Sequence, residues 1–221
     1  MTKIKICGIK TEEQAIVAAE AGADFIGLVF ALSPRQITTN KAEKIVSTLK
    51  KSGAKTEAIG VFVNAHAGTI NRIAEKCRLD RVQLSGDEPW EYCREINKPI
   101  VKVMRVSRNK RPEQVCKDLK YGTKLLKERE MVFLLDSNAR EKYGGTGMKF
   151  DWKLAVPIAR EFPVIIAGGL NPDNVDTAIK LISPWGVDVS TGVETRGVKD
   201  IEKIKRFIKA VKEADEGREK R

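Results

Sequence analysis

Short apolar runs, each bounded by glycine, proline or polar clusters, alternate along this chain with longer stretches whose apolar positions recur at helical spacing. A run of that length suits a strand buried on both faces, and its alternation with helical stretches marks consecutive parallel βα units. Eight runs fit the pattern: Lys3 to Cys7, Asp24 to Phe30, Glu57 to Val63, Arg81 to Leu84, Ile100 to Val106, Met131 to Asp136, Val164 to Ala167 and Gly186 to Ser190. Eight units in 221 residues predict an α/β chain folded as a single-domain (β/α)8 TIM barrel over 1–214, with a frayed tail at 215–221.

Helix starts agree with the count. Thr11 with Gln14 and Asn40 with Glu43 have capping-box spacing, and Asn171 precedes a proline suited to the first helical position. In the last helical stretch Ile201, Ile204, Phe207, Ile208 and Val211 fall on one stripe, which predicts a helix lying across the barrel exterior.

Charge and cysteine usage narrow the setting without fixing the chemistry. Lys and Arg number 41 against 30 Asp and Glu, for a net charge of +11. The acids are interleaved with the bases on predicted outer helices, as in Lys41-Ala42-Glu43-Lys44, so the excess reads as solvated helix faces and no nucleic-acid partner is expected. A field of this sign still suits an anionic metabolite. Cys7, Cys77, Cys93 and Cys116 have no tight ligand spacing, and a chain without a signal-peptide pattern or a membrane-spanning apolar run is expected in the reducing cytoplasm. No membrane partner is expected, and the oligomeric expectation is a monomer or a homodimer.

Strand parity then sorts the side chains. Lys5 and Cys7 share one face of the first strand while Ile4 and Ile6 share the other, so the lysine and the cysteine point at the barrel axis. Asp188 and Ser190 form the corresponding inward pair on the eighth strand. Lys5 has two readings of equal weight: its charge favours a Cys7 thiolate, or it pairs with a buried carboxylate such as Asp188. The seventh and eighth strands both end in glycine turns, and loops at those positions of a barrel commonly bind phosphate through backbone N–H groups. Gly168, Gly169 and Gly192 permit the close approach, and Ser190 and Thr191 add hydroxyl donors.

An ordered set of segments carries a more specific resemblance. It comprises Lys5-Ile6-Cys7-Gly8-Ile9, Ser33-Pro34-Arg35, Val82-Gln83-Leu84, Leu134-Leu135-Asp136, Tyr143-Gly144-Gly145-Thr146-Gly147, Gly168-Gly169-Leu170-Asn171-Pro172 and Asp188-Val189-Ser190-Thr191-Gly192-Val193-Glu194. Over nearly its whole length the chain resembles the phosphoribosylanthranilate isomerases of tryptophan biosynthesis. The resemblance implies an Amadori rearrangement of a phosphorylated small molecule, with Cys7 as general base, Asp136 as general acid and Arg35 holding the anthranilate carboxylate. Gln83 and Asp188 are kept as further candidate substrate contacts. The long 137–149 connection is expected to act as a lid. With His66 the only histidine, neither a metal nor an organic cofactor is implied.

Two other functions compete with this one. A histidine-pathway aminoaldose phosphate isomerase would carry paired aspartates where this chain has Cys7 and Asp136, and a basic nucleic-acid-binding barrel would need a contiguous basic face. One departure from the resemblance stands out: Ser85 occupies a position where the family commonly has histidine after the Gln-Leu pair.

Overall fold

The structure is a computed structural model that describes residues 1–106, 111–137 and 152–219. Eight parallel strands close into a barrel in sequence order: β1 Lys3–Cys7, β2 Phe25–Val29, β3 Glu57–Phe62, β4 Arg81–Leu84, β5 Ile100–Val106, β6 Met131–Ser137, β7 Val164–Ile166 and β8 Gly186–Val189. Closure is made by β8 against β1, where Lys5 lies in register with Asp188. The outer ring holds α1 Glu12–Ala21, α2 Thr39–Lys51, α3 Ala67–Lys76, α4 Pro112–Leu125, α5 Ala155–Glu161, α6 Val175–Ile182 and α7 Ile201–Glu219. No described helix is long and apolar enough to cross a membrane.

The fourth unit departs from the expected pattern, because β4 is followed by a short 3-10 helix, Glu91–Glu95, instead of an α-helix. Its buried residues explain the tighter winding. Trp90, Cys93 and Ile96 are buried at intervals of three, the period of a 3-10 turn. Helix starts are also adjusted. Thr11 caps α1 as expected, its hydroxyl accepting from the Gln14 amide at 3.2 Å, but α2 begins earlier than the Asn40 spacing implies and is capped by Thr38, which accepts from the Lys41 amide at 3.3 Å. Asn171 caps a turn just ahead of α6, accepting from the Asp173 amide at 2.9 Å.

Period two along the strands separates two apolar layers. Outward residues such as Ile4, Ile6, Ile26 and Leu28 pack against the helices, where Ile204, Phe207, Ile208 and Val211 of α7 form the expected stripe. Inward residues Phe25, Ile59, Val101, Val103, Val132, Leu134 and Ile165 fill the barrel. Each such side chain contributes about 1.5–3 kcal/mol when buried, which makes these layers a rigid base for whatever the mouth presents. Fraying does not begin at Asp215: the helix continues to Glu219, and Asp215 is buried with its carboxylate accepting from the Thr2 amide and, at 2.7 Å, the Thr2 hydroxyl. An acceptor for the chain's second residue holds this turn in place.

Candidate active site

Above the filled interior a smaller apolar cluster of Cys7, Val29 and Val61, with Ala31 packed against it, lines the floor of a cleft at the C-terminal ends of the strands. Cys7 ends β1, and Lys5 lies two residues below it on the same inward face, fully buried. The Lys5 ammonium donates to Asp188 Oδ1 at 2.9 Å across the β1–β8 seam. It also lies against the thiol: a Cβ placed on Gly27 would come within 2.8 Å of Cys7 Sγ and 3.2 Å of Lys5 Nζ, so the space between β1 and β2 is closed by both. The two readings of Lys5 therefore hold together. Burial pushes the Cys7 thiol up from its ordinary pKa, and the Lys5 and Lys199 charges pull it down without cancelling that rise. Burial also opposes the Lys5 ammonium, but the charges of Asp188 and Cys7 outweigh it and hold its pKa above the usual lysine value.

Asp136 projects into the same cleft from β6, on the far side from Cys7, in register with Arg105 of β5. Arg105 lines the mouth and was missed by sequence reasoning. Parity carried it, since Val101 and Val103 are inward and Arg105 follows at the next even step. Its guanidinium pairs with the Asp87 carboxylate and donates to the Ser85 carbonyl at 2.9 Å, so the loop after β4 is tied to β5 at the position where the family resemblance lacks its histidine. Gln83 is buried in the interior below, where its amide nitrogen donates to Ser85 Oγ at 3.0 Å and its Oε1 has no hydrogen-bond partner among the described residues.

The turns after β7 and β8 complete the rim. Gly168 and Gly169 adopt φ of 88° and 74°, a left-handed pair of residues that bends the chain away from the strand with main-chain atoms facing the cleft. Ser190 and Thr191 line the cleft beside them, and Ser190 Oγ also donates to the Cys7 carbonyl at 3.2 Å. Gly192 stands behind the rim: a Cβ there would meet the Leu170 carbonyl oxygen at 1.9 Å. The turn after β8 therefore packs closely on the turn after β7, in a space that only a glycine fits.

Arg35 also lines the cleft, but its guanidinium is already engaged. Nε and Nη2 donate to the two oxygens of Glu194 at 2.6 and 2.9 Å, a bidentate pair that raises the arginine's pKa, and Lys199 donates to the same carboxylate at 2.6 Å. Chiefly through the Arg35 hydrogen bonds, Glu194 is held down to about 2 against the opposing effect of burial. Most of the expected lid, 138–149 with its Tyr143-Gly144-Gly145-Thr146-Gly147 segment, lies outside the described residues. His66 caps α3 by accepting from the Gly68 amide at 3.2 Å, and no metal-binding cluster of His, Cys, Asp or Glu is found among the described residues.

A thiol and a carboxyl held at the C-terminal ends of two different strands, beside two glycine turns, define a (β/α)8 enzyme that works from the C-terminal mouth of its barrel. Within that class, the chain belongs to the phosphoribosylanthranilate isomerase family: residues 4–210 match the family described as N-(5'phosphoribosyl)anthranilate (PRA) isomerase. It is 48% identical over 218 residues to the N-(5'-phosphoribosyl)anthranilate isomerase of Dehalococcoides mccartyi, covering 99% of either chain. Among solved structures it is similar to monomers generated from the dimeric enzyme of Thermotoga maritima, with a TM-score of 0.79, 37% identity and coverage of 96% of this chain and 100% of that one. A phosphoribosyl anthranilate isomerase in complex with reduced 1-(o-carboxyphenylamino)-1-deoxyribulose 5-phosphate matches at a TM-score of 0.80, with 37% identity and the same coverage.

Proposed function

We propose that this site isomerises N-(5'-phosphoribosyl)anthranilate, the reaction of its family in tryptophan biosynthesis, with Asp136 as general acid and Cys7 as general base. The placement of Cys7 and Asp136 in one cleft, on different strands, carries the reading. Asp136 gives its proton to the ribose ring oxygen as the C1–O bond breaks and the anilino nitrogen forms a Schiff base at C1. The Cys7 thiolate takes the proton from C2, leaving an enolamine. Loss of the enol proton and protonation of C1 give the 1-deoxyribulose product. C2 is thereby oxidised from alcohol to ketone while C1 is reduced to an amine, so the change is an internal oxidation–reduction needing no outside electron acceptor.

Main-chain groups of Gly168 and Gly169, with Ser190 and Thr191, support a phosphate subsite, because oriented N–H groups hold an anion without a counterion. Asp188 and Gln83 line the sugar end of the cleft as candidate substrate contacts, and Arg35 meets the anthranilate carboxylate. Four free cysteines support a cytoplasmic setting, and the assembly is read as monomer or homodimer. The histidine-pathway alternative loses its ground at Cys7, where a second aspartate would be needed.

The direct test adds purified protein to N-(5'-phosphoribosyl)anthranilate and follows loss of its anthranilate-type fluorescence. Absence of turnover by folded protein defeats the assignment. Gly192→Ala is expected to raise KM by about tenfold, because a Cβ cannot share space with the Leu170 carbonyl and the β8 turn must move off the β7 turn. Phosphate-bearing product analogues should weaken in parallel. Unchanged affinity for such an analogue would detach this packing from phosphate binding.

A further inference from the structure

Beyond β8 the chain forms a two-stranded hairpin, β9 Glu194–Thr195 and β10 Val198–Lys199, turned through Arg196 and Gly197 at φ of 51° and 78°. Two positive-φ residues make the tight turn that matches strand twist, and the resulting register sets Glu194 directly opposite Lys199. Both side chains point to the barrel mouth and are almost fully buried, at 7% and 2% exposure. Lys199 Nζ donates to Glu194 Oε1 at 2.6 Å and to the Ser190 carbonyl at 2.9 Å, so it joins the hairpin to the turn after β8.

The Glu194 carboxylate faces Arg35, and the edge it takes matters. It holds Nε and Nη2, which leaves Nη1 and the second Nη2 hydrogen as an intact forked edge. The arginine's stem is fixed as well, since it crosses Gly8 so closely that a Cβ there would lie 2.5 Å from Arg35 Cδ. Stem and one edge are thus restrained, and Arg35 lines the cleft with its remaining edge outside the Glu194 pair.

We infer that Glu194 is a positioning residue for substrate selectivity: held by Lys199, it aims the unused edge of Arg35 at the carboxylate on the substrate's aromatic end. The inference rests on the reading of Arg35 as the carboxylate anchor. It goes further in making selectivity depend on a hairpin outside the cleft, and in linking the two ends of the substrate through Lys199, which touches both Glu194 and the Ser190 carbonyl. Glu194 itself need not touch substrate.

The test compares kcat/KM for the anthranilate-derived substrate and for the aniline-derived analogue lacking the carboxylate. It uses the native protein, Glu194→Gln, Glu194→Asp, Arg35→Ala and the double variant Arg35→Ala/Glu194→Gln. Glu194→Gln is expected to lower the ratio of the two kcat/KM values about tenfold, the loss falling on KM of the carboxylated substrate. Glu194→Asp retains the charge, and with it the ion pairs on which folding draws, but its shorter reach gives a smaller loss of the same sign. Adding Glu194→Gln to Arg35→Ala should lower the ratio no further, because the residue acts through the arginine. Equal losses on both substrates, a further loss in the Arg35→Ala background, or an improved KM for the carboxylated substrate would each overturn the positioning role. An unchanged ratio in Arg35→Ala alone removes the anchor, and the inference falls with it.

Discussion

Cys7→Ser and Asp136→Asn each lower kcat by about 10²–10⁴-fold while leaving a folded barrel, the range expected when one proton-transfer group is removed. Both substitutions nearly preserve volume. Asn lacks an acidic proton and a serine hydroxyl is a far weaker base than a thiolate, so the loss follows from chemistry rather than packing. The native pH profile carries the second half of this prediction. Cys7 serves as a base only when deprotonated, and burial has pushed its thiol above the ordinary value, so kcat/KM should rise with pH along a limb displaced upward from that of an ordinary thiol. That limb should be missing from Cys7→Ser. Persistence of the same limb in the serine variant would assign it to another group, and near-native turnover would remove the cysteine from the mechanism.

How the thiol works in so unfavourable a place bears on what the sequence could reveal. Strand parity alone put Lys5, Cys7, Asp188 and Ser190 on the inner face, and the structure places all four there. What parity could not supply was distance. Whether Lys5 served Asp188 or Cys7 depended on the β1–β8 register and on Gly27 leaving room on the β2 side, both set by barrel closure and not by any local segment. The Glu194–Arg35 pair was hidden for the same reason, being made between residues 159 positions apart. Arg105, by contrast, was legible: the β5 run was recognised, and one more step along its inner face reaches the mouth.

Local signals failed where packing overrode them. Asn40 and Glu43 have the spacing of a capping box, yet α2 starts at Thr39 with Thr38 as its cap, because the buried face of Ala42, Ile45, Val46 and Leu49 fixes where the first turn must lie. The unit after β4 looked helical only by analogy with its neighbours, whereas its own apolar residues recur every three positions. Asp215 reads as a charged residue in a solvated tail, and only the folded barrel brings the Thr2 amide and hydroxyl to it. For Asp215 the deciding partner is remote in sequence.

Lys5→Met should cost about 3–5 kcal/mol of stability, the largest structural effect expected from a single change near the site, because it leaves the buried Asp188 carboxylate without its cation. The lysine is fully buried and its partner nearly so, at side-chain exposures of 1% and 10%, so water cannot replace the missing charge cheaply. Urea denaturation of the native and variant proteins measures the loss. The double variant Lys5→Met/Asp188→Leu should recover most of it, since removing both charges also removes the cost of taking them out of water. Activity should not follow stability. Without the Lys5 ammonium the Cys7 thiol rises further, so the pH limb of kcat/KM moves up in Lys5→Met, and the restored fold of the double variant still lacks both the ammonium and Asp188. A Lys5→Met protein within ~1 kcal/mol of native stability would show that the seam between β1 and β8 does not depend on this pair, and an unmoved pH limb would show that the lysine leaves the thiol untouched.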